Sequence, residues 1–203
     1  KEKDFLNAVE VLFEDGEKKE RDAAYAEAMG QMYRKYTDDL EAASFYALAL
    51  LGSSENSRDI PTYMKAAAIA EEVFAKNPQH PGAVHYLIHS YDDPVHAPLG
   101  LRAARVYAKI APSAVHALHM PSHIFLALGM WDDVESCNDA SWKASKFNSY
   151  HAAHWLEYAY LQKGKFPEAR ELLNKVESQA KSGADYSWYI PAMRAAYVIE
   201  TQS

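Results

Sequence analysis

Histidine recurs in this 203-residue chain at a fixed interval. His85 and His89 stand four apart, and His119 and His123 repeat the pair 34 residues later; Pro78 and Pro112 keep the same interval. A third copy follows one residue late, with His116, His119 and Gly129 matched by His151, His154 and Gly164. A period in this range marks stacked supersecondary units, each too small to bury its apolar face alone. The histidines are therefore placed by repeat geometry, on one face of several helices.

The clearest unit spans 151–176. Leu156, Tyr160, Gly164, Phe166, Ala169, Leu173 and Val176 fill the apolar and small positions of two antiparallel helices, and Gly164 supplies the left-handed conformation that ends the first. The preceding unit repeats this with Leu118, Phe125, Gly129, Trp131 and Val134, and the one before it opens at Pro81 and closes at Pro112. Upstream, 4–14 pairs with 21–36, and 39–51 pairs with 60–76 across a polar insertion at 52–59. A final helix is expected over 186–201. Short connections and the lack of a linker predict one domain over 1–203, with about eleven helices. One turn departs from the pattern: Asp92-Asp93-Pro94-Val95-His96-Ala97-Pro98 is a loop stiffened by two prolines.

Composition excludes several classes of function. A net charge of −7 argues against a nucleic-acid backbone binder, which needs a basic stripe. No apolar run approaches the roughly 20 residues that span a bilayer. No basic stretch leading into an apolar one opens the chain, so no export signal is read there. The chain starts at Lys1 without an initiating Met, which leaves both a cytoplasmic and an exported protein open. Cys137 is the lone cysteine, so neither an internal disulfide nor a thiolate metal cage can form. Residues 77–130 carry only Asp92, Asp93, Arg102, Arg105 and Lys109 as charges but seven of the nine histidines, which marks a buried or groove-lining stretch. Nucleotide-binding and hydrolase signatures such as G-x-x-x-x-G-K and G-x-S-x-G are missing from the sequence.

The period of 34, the glycine turn after the first helix and the proline near each repeat end resemble the tetratricopeptide repeat (TPR) family. The resemblance is clear over 79–182, divergent over 1–78, and leaves 183–203 for a terminal helix. It implies an all-α fold, a TPR-like right-handed α-solenoid of about five helix pairs plus that helix. In this family the first helix of each repeat lines a concave groove. The resemblance thus places His85 and His89, then His116, His119 and His123, then His151, His154 and Tyr158, in such a groove. The strings His80-Pro81-Gly82-Ala83-Val84-His85-Tyr86-Leu87-Ile88-His89 and His116-Ala117-Leu118-His119-Met120-Pro121-Ser122-His123-Ile124 resemble more narrowly a histidine-rich group of bacterial TPR proteins. That likeness implies a bacterial origin and assigns no reaction. Generic TPR grooves grip peptide carboxylates with Lys, Arg and Asn; the histidines here point away from that use.

Four readings fit the histidine face. The imidazoles can form a satisfied structural network with Tyr86, Tyr91, Tyr107, Tyr150, Tyr158 and Asp92. They can bind a metal, since paired His at i, i+4 share a helix face and imidazole suits zinc, copper, nickel and iron. His85, His89, His119 and His123 are the first-choice ligands, with Asp92, Asp93 or Glu157 to complete the coordination shell. Neighbouring helices lie ~8–10 Å apart, which favours a diagonal set such as His89 with His119 and His123. The face can also hold a peptide, a protein or a small ligand. Finally, His with Asp92 or Asp93 can serve general acid–base chemistry, although no nucleophile stands out. Pro121 follows Met120 inside the His119 helix and predicts either a kink between the two histidines or an irregular helix start. Ser122 is expected to cap that break. The four tryptophans are expected to be packing anchors. The sequence thus favours a binding or scaffold module with a His/Tyr-lined groove, with a metal-binding protein or metalloenzyme as the alternative.

Overall fold

Capped helices alternating with tight turns organise the chain. The computed structural model describes residues 1–54, 58–179 and 184–202, without the side chains of 184–187. These residues form α-helices and one 3-10 turn, and no strand occurs among them. They divide into two compact units, Lys1–Asp92 and Asp93–Ser203, described in turn.

The first unit contains α1 (Glu2–Glu10), a 3-10 turn (Val11–Phe13), α2 (Lys18–Lys35), α3 (Leu40–Gly52), α4 (Ile60–Lys76) and α5 (Pro81–Tyr91). Side chains start three of these helices. Asp39 accepts from the Glu41 and Ala42 amides at 3.0 and 3.1 Å, Asp59 from the Thr62 amide at 3.2 Å, and His80 Nδ1 from the Ala83 amide at 3.2 Å. Each satisfies donors that a helix N-terminus leaves orphaned. Pro61 and Pro81 occupy first-turn positions, where a missing N–H costs nothing. Helices α2, α3, α4 and α5 pack in succession, and α5 also returns to α3. Ala42, Ala47, Ala66, Ala70 and Ala83 are fully buried, so backbones approach closely, while Met29, Val73, Val84, Leu87 and Ile88 fill the space between them. Full burial of a side chain of the larger kind stabilises by about 1.5–3 kcal/mol. The middle of the expected polar insertion, residues 55–57, lies outside the described residues.

The second unit contains α6 (Ala97–Ile110), α7 (Val115–His119), α8 (Pro121–Ala127), α9 (Trp131–Ala144), α10 (Tyr150–Gln162), α11 (Phe166–Gln179) and α12 (Ala184–Thr201). Counting α7 and α8 as one broken helix gives eleven helices among the described residues, as expected. The break falls at Met120, because Pro121 has no N–H to continue the ladder. Ser122 Oγ donates to the His119 carbonyl at 2.7 Å and so satisfies the group the break exposes. Ahead of α6, Asp93 Oδ1 accepts from the Val95 and His96 amides, both at 2.9 Å, and stiffens the proline loop. The core packs Trp142, Leu156, Leu172, Leu173 and Val176 against Ile190 and Met193 of α12. Of the tryptophans expected as anchors, Trp142 is buried, whereas Trp188 is 60% exposed. The junction at 180–183, where the clear repeats are expected to end, lies outside the described residues.

Two turns repeat with the same chemistry. Gly129 and Gly164 both adopt φ +69°. Met130 N–H donates to the Phe125 carbonyl and Gly129 N–H to that of Leu126, at 2.8 and 3.0 Å; Lys165 and Gly164 reproduce this with Tyr160 and Leu161 at 2.9 and 3.0 Å. This pairing of a long and a short bond is the Schellman motif, which needs a left-handed residue at its centre. A Cβ added at Gly164 meets nothing within 4 Å, so only backbone strain opposes a substitution there. Gly164→Ala is expected to cost about 1–2 kcal/mol and lower the melting temperature by a few degrees. Thermal unfolding checks this, and an unchanged midpoint would refute the strain.

Candidate functional site: three imidazoles in the second unit

Three helices of the second unit aim one histidine each at a common point. His119 ends α7, His123 lies in α8 and His151 stands in the first turn of α10. His119 Nε2 lies 3.1 Å from His123 Nε2 and 2.9 Å from His151 Nε2. All three ligand atoms fall within 4.8 Å of one another. Local structure fixes this arrangement. Met120 and Ile124 are fully buried, which locks the azimuth of the broken helix and turns His119 and His123 to one side. Ser149 caps α10 by accepting from the Ala152 amide at 3.3 Å, and so fixes where His151 emerges.

The protonation of His119 is set from behind. Its Nδ1 lies 2.7 Å from Oδ1 of the fully buried Asn138 in α9. Asn138 Nδ2 donates to the Val134 carbonyl at 2.9 Å, which orients the amide with its oxygen towards His119. An amide oxygen only accepts, so His119 Nδ1 carries the proton and Nε2 presents its lone pair to the other two rings. Orientation of a ligating imidazole through its second nitrogen is the usual support of a metal-bound histidine. Hydrogen bonding alone does not account for the cluster, since one Nε2 lone pair serves one well-formed donor and two imidazoles approach it.

Burial keeps the His119 and His151 rings neutral. Burial lowers the pKa of His119 to about 3, with the neighbouring His123, His151 and His116 adding repulsion and Asn138 opposing. Burial also lowers His151, with His123 and His154 contributing. Trp155 of α10 borders all three rings, at centroid distances of 5.0 Å from His119, 4.5 Å from His123 and 5.7 Å from His151. Tyr189 of α12 lies 6.0 Å from His151.

The remaining sequence candidates take other places. His116 is exposed, with its ring 6.4 Å from that of His119, and burial of part of the ring lowers its pKa. His154 faces α12, against Trp188 and Tyr189; its Nδ1 has no hydrogen-bond partner among the described residues, and burial lowers its pKa. Tyr158 meets Trp131 edge-on at 5.9 Å. In the first unit, His85 and His89 face each other on α5, and Asp92 caps the C-terminus of that helix. Asp93 belongs to the second unit and holds His96 Nδ1 at 2.8 Å. Asn138 is a site residue that periodicity could not reveal, because it sits on the second helix of its pair, away from the histidine face. No helix among the described residues is long and apolar enough to cross a membrane.

No family model matches the sequence, and neither does any curated protein. Among solved structures the chain is similar to MamA (41 to end) from Desulfovibrio magneticus RS-1, with a TM-score of 0.66 at 14% identity over 79% of this chain and 89% of that one. It is also similar to a thermophilic TPR protein of Thermus thermophilus, with a TM-score of 0.60 at 15% identity over 100% of this chain and 99% of that one. Paired helices, twin Schellman turns and these likenesses together give the chain the all-α solenoid fold of the tetratricopeptide repeat proteins.

Proposed function

We propose that this chain is a helical-repeat binding module whose second unit holds a first-row transition-metal ion between His119, His123 and His151. The observation that carries the reading is the convergence of three imidazole Nε2 atoms, one of them with its tautomer fixed by Asn138. Bonds of about 2.0–2.1 Å to a tetrahedral ion put ligand nitrogens about 3.3–3.4 Å apart. The contacts of 2.9 and 3.1 Å need to open by only a few tenths of an ångström to reach that spacing. An all-imidazole set suits zinc, copper, nickel or iron, whereas magnesium and calcium take oxygen ligands. Three protein ligands leave a tetrahedral ion one position for water or an exogenous group. His151 replaces the carboxylates considered from sequence, and the set lies wholly within one unit.

The test is a competition titration of untagged, chelator-treated protein with Zn2+. His151→Ala should weaken the tightest site at least about tenfold, and Asn138→Ala about 10–100-fold through loss of the orienting amide. Tyr158→Phe, which alters a ring packed on Trp131, should leave the affinity unchanged. Undiminished zinc affinity in folded His119→Ala and His151→Ala proteins would falsify the reading.

A second reading keeps the module without the ion: a protein, peptide or small ligand lies along the histidine helices. It is supported by the TPR-like fold and by the 60% exposure of Trp188 beside His154. It predicts ligand capture that survives chelator treatment.

A further inference from the structure

We propose a second metal-ion site, formed by His85 and His89 in the first unit, so that the protein carries two ions. The proposal does not depend on the three-imidazole site, since it uses different side chains on a different helix. Helix α5 is unbroken from Pro81 to Tyr91. Its buried face is pinned by Val84, Leu87 and Ile88, each 0–1% exposed. His85 and His89 occupy the remaining face, half-buried and one turn apart.

Their rings close on each other. Nε2 of His85 and Nε2 of His89 lie 3.1 Å apart, with ring centroids at 4.7 Å and planes at 48°. That separation is close to the spacing of two nitrogens bound to one ion at about 2.0–2.1 Å each. The first ring is further placed by Tyr86, stacked at 5.7 Å and 28°. The end of the helix is held by Arg58, whose guanidinium donates to the His89 carbonyl at 3.2 Å and to the Ser90 carbonyl. The same 3.1 Å recurs between His119 and His123. One of these pairs sits on an unbroken helix and the other spans the Met120–Pro121 break, so the closure follows from the i, i+4 spacing and not from the kink. The 34-residue repeat has duplicated a two-imidazole clip.

The two clips differ in their support. The only other histidine in residues 1–92 is His80, which caps α5 and meets Glu41 and Ser44. Within its unit the His85/His89 clip therefore chelates with two imidazoles, where the other site has three and an orienting amide. Two imidazoles from one unit hold an ion less tightly than three, by about tenfold or more. The ion is of the imidazole-seeking class, zinc, copper or nickel.

Calorimetric titration of untagged, chelator-treated full chain with Zn2+ alone tests this, with circular dichroism confirming that each variant is folded. Wild type should take up two equivalents of different affinity. His85→Ala/His89→Ala should lose the weaker equivalent and keep the tighter; His119→Ala/His123→Ala should do the reverse. His85→Gln/His89→Gln, which retains bulk and polarity, should match the first double variant. A folded His85/His89 variant that binds as many equivalents as wild type overturns the proposal. If His119→Ala/His123→Ala abolishes all binding, the His85/His89 pair holds no ion of its own and the second site is refuted. Retention of both equivalents by His119→Ala/His123→Ala would sink the three-imidazole reading and leave the His85/His89 clip to be judged by its own variants.

Discussion

Acidification should destabilise the metal-free protein steeply, by roughly 4–5 kcal/mol from His119 alone once the pH has fallen to about 3. His119 is 2% exposed, and burial lowers its pKa from 6.5 to about 3. In the unfolded chain this imidazole takes up a proton as the pH falls through 6.5; in the folded protein it does so only near 3. Between those values the unfolded state binds more protons. Stability is therefore whole above the unfolded pKa and is lost progressively as the pH falls towards the folded one. Burial lowers His151 and His154 as well, so both act in the same direction. Denaturant unfolding across this range measures the slope, and His119→Gln should flatten it. A difference between wild type and variant that stays constant with pH would remove His119 from the account. A bound ion should steepen the loss, because the imidazoles must remain unprotonated to hold it.

Glu157→Gln should raise stability near neutral pH by about 3 kcal/mol. Glu157 is fully buried in α10, and neither carboxylate oxygen has a hydrogen-bond partner among the described residues. Burial pushes its carboxyl up to about 8 from 4.5, with Arg170 lowering it and Glu177 raising it to smaller extents. The sign is opposite to that of His119. Folded protein keeps the proton up to about 8 while the unfolded chain releases it above 4.5, so this contribution is full below 4.5 and lost as the pH rises through 8. Gln is neutral throughout and removes the penalty. The gain should shrink as the pH is lowered and vanish below the unfolded pKa; a gain that persists in acid would point to packing instead.

Periodicity made most of the helices legible. The helix expected over 60–76 coincides with α4 at both ends, because local signals and burial agree there. The glycine turns at 129 and 164 were equally plain, since only a left-handed residue closes a Schellman turn. The break at Met120 could be read from Pro121. What sequence could not give was the company each histidine keeps. His119, His123 and His151 meet because α10 packs beside the broken helix, and nothing in the spacing distinguishes His151 from His154, three residues on. Asn138 lies outside the repeat pattern altogether, and its importance follows only from the direction of its amide. Glu157 resembles a surface carboxylate in the sequence; it is buried in a helix packed by α9, α11 and α12.

As hydrogen bonds, the two short contacts at His119 Nε2 can be satisfied only in turn. When His151 donates, His123 must wait; when His123 donates, His151 must. The rings hardly need to move between these alternatives, because the choice lies in which neighbour offers its proton. The triad therefore has two alternative hydrogen-bonding states on one set of heavy-atom positions. A ligand that engages all three nitrogens together makes that choice unnecessary.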